Sequence, residues 1–528
     1  MDTFDAVVVG GGHNGLAAAI HLSARGWSVA VVEAGAAAGG AVKTAELTLP
    51  GFRHDLCAMN LSMFAGSPFF ATYKDELVAH GLRFVSAPDC FASVFRDHTY
   101  LGVSADLDKT LAAISAISPK DAKAWRDMVE RFRVDAPHIF ALLGSPMPSM
   151  AAARSVIAAW RKQGGGWVAE TARLLLATPR DFLDAHFESP KLKAMMAAWG
   201  MHLDFAPDTA GGALFPYLES MANQTFGMVI GAGGADTIIK AMCGLLRAQG
   251  ADIRLRSPVV SIETRSGLAC GVSLADGTRI GARRAVVANL HPKLVFGPLL
   301  PPDPAWASYE ARVARIRPGP GTMMVHLALE GQPNWQGGEA LGRFAYVHIA
   351  PDLAMMSRVY AEAASGVLPA EPVLVVGQPT AIDPSRAPAG KHVLWVQVRA
   401  LPSAIIGDAT GNIGARNWDD AKEPYADRVL DLLEGYVPDL RSKIAGRAIF
   451  SPLDLERENP CLIGGDNLSG SHHLDQNFIF RPVAGYSRYR TPVGQLYLCG
   501  AATWPGAGTG AGSGFMLAKM LAGSARSE

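Results

Sequence analysis

Apolar positions change period repeatedly within the first 33 residues. Val7 to Val9 is a short continuous run, the pattern of a strand buried on both faces. Leu16 to Leu22 then carries apolar residues at helical spacing, and Ser28 to Val32 is a second short strand ending on Glu33. Between the first strand and the helix stand Gly10, Gly12 and Gly15, spaced G-x-G-x-x-G. The first glycine permits a tight turn, the second lets backbone approach a pyrophosphate, and the third lets helix and strand pack closely. The helix N-terminus offers free N–H groups to phosphate, and Glu33 stands where a carboxylate would accept bonds from a ribose. A glycine-rich turn alone is a weak signal, but strand, turn, helix, strand and acid in this order predict a dinucleotide site.

The pattern shifts from about residue 105. "AKAWRDMVERFRV", "MAAARSVIAAWRKQ" and "AETARLLLATPRDFLDAHF" are helical in period, broken by "GSPMPS", "KQGGGW" and "ESPK". This predicts a mostly helical insertion up to about residue 225. "FGMVIGAGGADTIIKAMCGLLRAQGADIRLRSPVVSIET" resumes strand, turn, helix and strand. Gly231, Gly233 and Gly234 there suggest a second nucleotide turn, with Arg254 or Arg256 on a 2′-phosphate. Against this, Asp236 holds the third-glycine position, where a carboxylate would oppose a pyrophosphate, and no acid ends the next strand. A hairpin turning at Asp276-Gly277 follows, then alternating segments ("TMMVHLAL", "EPVLVVGQ", "KHVLWVQVRA") that predict a sheet, with a helix near "PYADRVLDLLEGYV". At the far end "GQLYLCGAATWPGAGTGAGSGFMLAKMLAG" reads as strand, glycine-dense loop and helix. Two such loops at opposite ends of the chain suggest one long cofactor gripped from both sides.

Length and composition narrow the classes. A chain of 528 residues exceeds one compact core, and 49% apolar with 18% charged residues is globular. Lys+Arg and Asp+Glu both total 48, which gives no net-charge case for nucleic acid. The acidic start "MDTFD" runs straight into a strand, predicting no secretory signal, and no uncharged apolar run reaches about 18 residues. A cytoplasmic protein is expected, with peripheral membrane contact and oligomeric state left open. The 6 cysteines are scattered without C-x-x-C, there is no H-E-x-x-H and no G-x-S-x-G, so no metal site, dithiol or hydrolytic triad is predicted.

These segments resemble the phytoene desaturase and carotenoid isomerase group, most of all its phytoene-desaturase-related branch. The likeness lies in "VVVGGGHNGLAAAIHLSARGWSVAVVEAGAAAGGAV", in "DIRLRSPVVSIET" and in "DQNFIFRPVAGYSRYRTPVGQLYLCGAATWPGAGTG", about half of the chain. The resemblance implies FAD as cofactor, with Glu33 on the adenosine ribose, Gly39 and Gly40 along the pyrophosphate, the Val259 backbone at adenine, and Gly500, Ala501, Gly506, Gly508 and Thr509 in the closing loop. It departs from the group's pattern at Ala41, Ala501, Trp504, Ala507 and Thr509. Trp504 is expected near the flavin ring. The implied fold is α/β: a discontinuous Rossmann-type FAD-binding domain (1–104, 226–295 and 456–528) with an inserted α+β substrate domain (105–225, mainly helical, and 296–455, mixed). The implied activity is hydride abstraction from a carbon of an apolar, lipid- or isoprenoid-like substrate, with oxygen or a quinone as electron acceptor.

Paired methionines (195–196, 323–324, 355–356) and Trp199, Phe205, Phe215 and Phe226 are candidates to line the substrate, although core packing explains such residues equally well. Acid–base candidates are His472, His473 and Asp475 in "SGSHHLDQNF"; hydrogen-bonded loop residues are the plainer reading. Three rivals stay open: an amine oxidase, with Trp504 and Tyr486 beginning an aromatic cage; a redox-neutral double-bond isomerase; and a non-catalytic escort of prenylated proteins.

Overall fold

The structure is a computed structural model that describes residues 2–523. Two seven-stranded sheets organise it. In the first, Asp2–Val9 lies between Val29–Val32 and Arg279–Ala288, all parallel, with Asp252–Arg254 beyond Val29–Val32. The free edge of Arg279–Ala288 takes two partners: Leu496–Leu498 at its end and, further back, the antiparallel ribbon Val259–Arg265 and Leu268–Leu274. Burial on both faces explains the unbroken apolar runs. Ala6, Val8, Val29 and Val31 face the helices His13–Ser23, Thr237–Ala248 and Gly512–Gly523. Val7, Val9, Ala30 and Val32 face the opposite side with Trp306 and Tyr309.

The second sheet runs Ile444–Phe450, Gly321–Leu329, His392–Leu401, Val373–Gly377, Tyr346–Ile349, Asp89–Val94, Tyr100–Ser104. Helix Trp418–Glu434 covers one face, and the helical insertion covers the other. The expected boundary at residue 104 is corrected here. Asp89–Val94 and Tyr100–Ser104 belong to the second sheet, because Phe91 to Val94 pair with Tyr346 to Ile349 in parallel. The strands between Asp252 and Ala288 and Leu496–Leu498 complete the first sheet, Met228–Gly231 pairs instead with Phe84–Ala87, and residues 1 and 524–528 lie outside the described residues.

The helical insertion follows its punctuation in part: the break at "KQGGGW" shrinks to Gly164, and "AETARLLLATPRDFLDAHF" divides at Ala177 and Thr178. Ser118, Ser149, Thr178 and Ser189 each cap a helix by accepting a backbone N–H three residues on, and a proline opens the first turn after Ser118, Thr178 and Ser189.

Candidate functional site

The first glycine turn is built from backbone. Gly10 has φ +94°, and a Cβ on Gly15 would lie 2.4 Å from the Gly10 carbonyl oxygen, so neither position takes a side chain without strain. No side chain caps helix His13–Ser23, which leaves its first N–H groups to an anion. The Glu33 carboxylate accepts from the N–H of Gly11 and of Gly35, each at 2.7 Å. Ser257 donates its N–H to the Glu33 carbonyl at 2.9 Å and Arg256 to that of Gly35 at 2.8 Å, so the strand that begins at Val259 starts beside Glu33. Gly39 donates to the Gly11 carbonyl at 2.9 Å and bridges Gly12, with Gly40 packed against Gly12.

The C-terminal loop closes on this turn. His13 Nε2 lies 3.1 Å from the Gly508 carbonyl oxygen, and Gly514 donates its N–H to Asn14 Oδ1 at 3.3 Å. Helices His13–Ser23 and Gly512–Gly523 approach so closely that a Cβ on Gly514 would overlap the Asn14 carbonyl. Asn289, at the end of Arg279–Ala288, joins the two loops: its Nδ2 donates to the carbonyls of Gly10 (3.2 Å) and Gly12 (3.4 Å), and its Oδ1 lies against Gly500, at φ +108°. Arg481, fully enclosed, donates to the carbonyls of Leu468, Ser469, Gly470 and Ser471 and, at 2.8 Å, to that of Ala501. Gly506 packs on His472, and Thr509, half-buried, follows the exposed Gly508. The predicted contact residues from both ends thus surround one backbone-lined cradle. It fits a dinucleotide, since uncapped N–H groups, the Glu33 carboxylate at the end of the second strand and glycines that exclude side chains converge there.

Three residues of this cradle escaped the sequence reading. His13 lies inside the fingerprint itself; burial pulls it down to about 4, so it is neutral at ordinary pH. Asn289 offered no local signal because its partners lie 277 and 279 positions away, and Arg481 none because its partners, 10 to 20 positions away, follow no helix or strand period.

The acid–base candidates part company. His472 is buried, and burial holds it well below its ordinary value; its Nε2 accepts the Ala507 N–H at 3.1 Å, so it braces the loop. His473 is half-buried, with Nε2 2.8 Å from the Asp204 carbonyl oxygen and 3.3 Å from Tyr360 Oη. Asp475 does not join them: it is exposed and paired with Arg317 at 2.8 Å. Trp504 and Tyr486 do not meet either. The Trp504 ring packs on Phe478 and its Nε1 donates to the Ser145 carbonyl at 2.8 Å, whereas Tyr486 packs edge-on to Tyr309 in another cluster.

The second glycine turn is spent within the protein. Gly233 donates its N–H to Asp383 at 2.6 Å, Ala235 to Asp55 at 2.8 Å, and Asp236 to Thr44 Oγ1 at 3.2 Å. Arg254 is held by Asp2 and Asp252.

On the inner face of the second sheet, Met195, Met196, Met324, Met355, Met356 and Trp199 share one buried cluster with Met59. Met323 points to the other face, and Phe226 is exposed. Phe91, Tyr346, Gly377, Trp395 and His326 line up across neighbouring strands of this face. Above them His202 and His348 approach at 2.9 Å, both kept neutral by burial. Glu219, on helix Leu214–Phe226 near Tyr346, is raised by burial to about 7. A separate cleft of about 490 Å³ opens within the helical insertion, between Met128, Arg131, Leu174, Phe182 and Tyr217.

Comparison with known proteins agrees with this geometry. The family described as flavin containing amine oxidoreductase matches residues 15–511. The chain is 29% identical to the rat (Rattus norvegicus) "Pyridine nucleotide-disulfide oxidoreductase domain-containing protein 2", over 96% of this chain and 91% of that one. It is 26% identical to "Phytoene desaturase (neurosporene-forming)" of Rhodobacter capsulatus, over 99% and 95%. Among solved structures, cyclohexylamine oxidase of Brevibacterium oxydans superposes with a TM-score of 0.60 at 17% identity, over 99% of each chain, and shares the fold. The chain belongs to the flavin containing amine oxidoreductase family and is an FAD-dependent oxidoreductase.

Proposed function

We propose that this enzyme is a desaturase or dehydrogenase that removes hydride from a carbon of an apolar, lipid- or isoprenoid-like substrate. The observation that carries the reading is the methionine-rich cluster on the inner face of the second sheet, where Met59, Met195, Met196, Met324, Met355 and Met356 gather. Unbranched thioethers adapt to irregular apolar ligands. Bound FAD supplies the hydride acceptor. The chain's own part is to hold that group by backbone at residues 10–15, 39–40 and 500–509, and to present the substrate carbon from the methionine face. Glu219, near neutrality, is the candidate to take a proton as hydride leaves. With the second glycine turn occupied by Asp383 and Asp55, oxygen or a quinone is a better acceptor than a nicotinamide.

The amine-oxidase reading loses its aromatic cage with the separation of Trp504 from Tyr486. The test is anaerobic mixing of the yellow holoenzyme with acyclic isoprenoid hydrocarbons in one series and primary amines in another. Bleaching by the hydrocarbons, with a product two hydrogens lighter, is the expected result. Bleaching by amines alone would overturn the proposal.

A further inference from the structure

Between Asp135 and Glu170 the chain contains no acidic residue, yet it carries Arg154, Arg161 and Lys162. This stretch includes the end of helix Pro119–Leu143, helix Met150–Gln163 and the start of Gly165–Leu176. Helix Met150–Gln163 rests on the body through Ala152 and Ala159, its two buried residues. Met150, Ala153, Ile157 and Trp160, spaced three and four apart, form a stripe on another side. Met150 is 70% exposed, Trp160 54%, and Val156 and Ile157 beside them 47% and 44%. Arg154 and Arg161 each stand one position beyond a member of that stripe and flank it. Scattered exposed apolar residues are ordinary, but a continuous stripe edged by cations is not.

We propose that helix Met150–Gln163 docks on the surface of an anionic lipid bilayer. An apolar stripe with tryptophan, flanked by arginine and lacking acids, is the pattern of a helix lying in the interface plane, its arginines reaching the headgroups. The helix lies on the membrane and does not cross it. Its 14 residues span roughly 21 Å against about 30 Å of hydrocarbon, and among the described residues no helix is long and apolar enough to cross. A second copy of the chain is a poorer occupant. Two-fold pairing would set Arg154, Arg161 and Lys162 against their own equivalents with no acid in the stretch to meet them. The docked segment also connects to the cradle, because the carbonyl of Ser145, ahead of the helix cap Ser149, accepts the Trp504 indole N–H.

Co-sedimentation of the full-length holoenzyme with phosphatidylcholine vesicles, plain or doped with phosphatidylglycerol, tests this. Binding to doped vesicles at least tenfold tighter than to plain ones, weakening as salt rises, is expected. Ile157→Glu with Trp160→Glu loses binding at least tenfold, while Arg154→Gln with Arg161→Gln loses mainly the preference for anionic lipid. Unchanged circular dichroism and flavin absorbance certify the fold of both variants, and the arginine pair stands alone if the glutamate pair aggregates. Failure of the wild type to bind doped vesicles at low salt overturns the proposal, as does wild-type binding by the glutamate variant. So does a dimer, seen by gel filtration, that Trp160→Glu dissociates without any lipid binding. Vesicle binding needs no turnover, so its failure is separate from any failure of the hydrocarbon reading.

Discussion

Residues 10–15 and 231–236 form two glycine turns that each lead from a strand into a helix of similar length, 11 residues in one case and 12 in the other. The two helices pack side by side in the same core cluster. Yet in the first turn only the Gly10 and Gly11 N–H groups are taken, by the Val32 carbonyl and the Glu33 carboxylate, and the uncapped start of helix His13–Ser23 keeps its donors for a ligand. In the second, Asp383, Asp55 and Thr44 accept the N–H groups of Gly233, Ala235 and Asp236. Glycine spacing therefore makes a turn that can approach phosphate, while the protein's own carboxylates decide whether it does. The same chemistry is used twice, once outward for a cofactor and once inward to join the two halves of the molecule.

The contrast breaks most visibly at Gly15. Gly15→Ala drives a methyl to 2.4 Å from the Gly10 carbonyl and 2.9 Å from Asn289 Nδ2, both fixed groups. A loss on the order of 3 kcal/mol is expected, with protein purified free of flavin. Gly233→Ala, where a Cβ would meet only the Arg53 guanidinium, at 3.7 Å, but at φ +71°, is expected to lose only about 1 kcal/mol and to keep its flavin. Thermal melts and the ratio of flavin to protein absorbance measure both, and equal flavin loss in the two variants would refute the contrast.

Glu33→Ala follows in size. It removes the carboxylate that accepts from Gly11 and Gly35 and that is proposed to hold the ribose. FAD affinity is expected to fall by about 1.5–3 kcal/mol, a factor of roughly ten to a hundred and fifty. Titration of apoprotein with FAD gives the number, and full occupancy after purification would show that Glu33 does not hold the ribose.

Acid separates the turns in a third way. Burial lowers His13 from 6.5 to about 4, so the folded state prefers the neutral ring. The stability this contributes is complete above pH 6.5 and is lost as pH falls toward 4, on the order of 2 kcal/mol once partial solvent access is discounted. Melting curves from pH 7 to pH 4 should therefore be steeper for the wild type than for His13→Gln. Other buried histidines, among them His54 and His291, add a background common to both proteins. Identical slopes would remove His13 from the account.

The elements that were legible in the sequence are those whose cause is local. Apolar runs at 7–9 and 28–32 and the fingerprint glycines appear where their patterns place them, whereas the helical run "AETARLLLATPRDFLDAHF" divides at Ala177 and Thr178, ahead of Pro179, into two helices. Pairing choices were not legible. "DCFASV" has nothing in it to say that Phe91 will lie beside Tyr346 rather than in the first sheet. Asn289 holds the cradle through carbonyls at the other end of the domain's chain and Arg481 through irregular loop carbonyls 10 to 20 positions away, neither of which a spacing rule detects. Asp475 illustrates the opposite error: it stands two residues after a histidine pair but is turned outward to Arg317.

The smallest and sharpest test supplies the second turn with the glycine it lacks. Asp236→Gly completes G-x-G-x-x-G at 231, 233 and 236 and removes the carboxylate that would oppose a pyrophosphate. If spacing were sufficient, the variant should gain affinity for NADH or NADPH. It should not, because Asp383 and Asp55 still accept the N–H groups that a phosphate would need, and the loop is packed against Thr44. The substitution forfeits only partly exposed ion pairs with Lys240 and Arg53, so less than about 1 kcal/mol of stability should be lost. Anaerobic mixing with either reduced nicotinamide should leave the flavin absorbance of wild type and variant equally unchanged. Rapid bleaching in the variant alone would mean that one carboxylate at position 236 had been closing a nucleotide site, and rapid bleaching in both would mean that the turn was never closed.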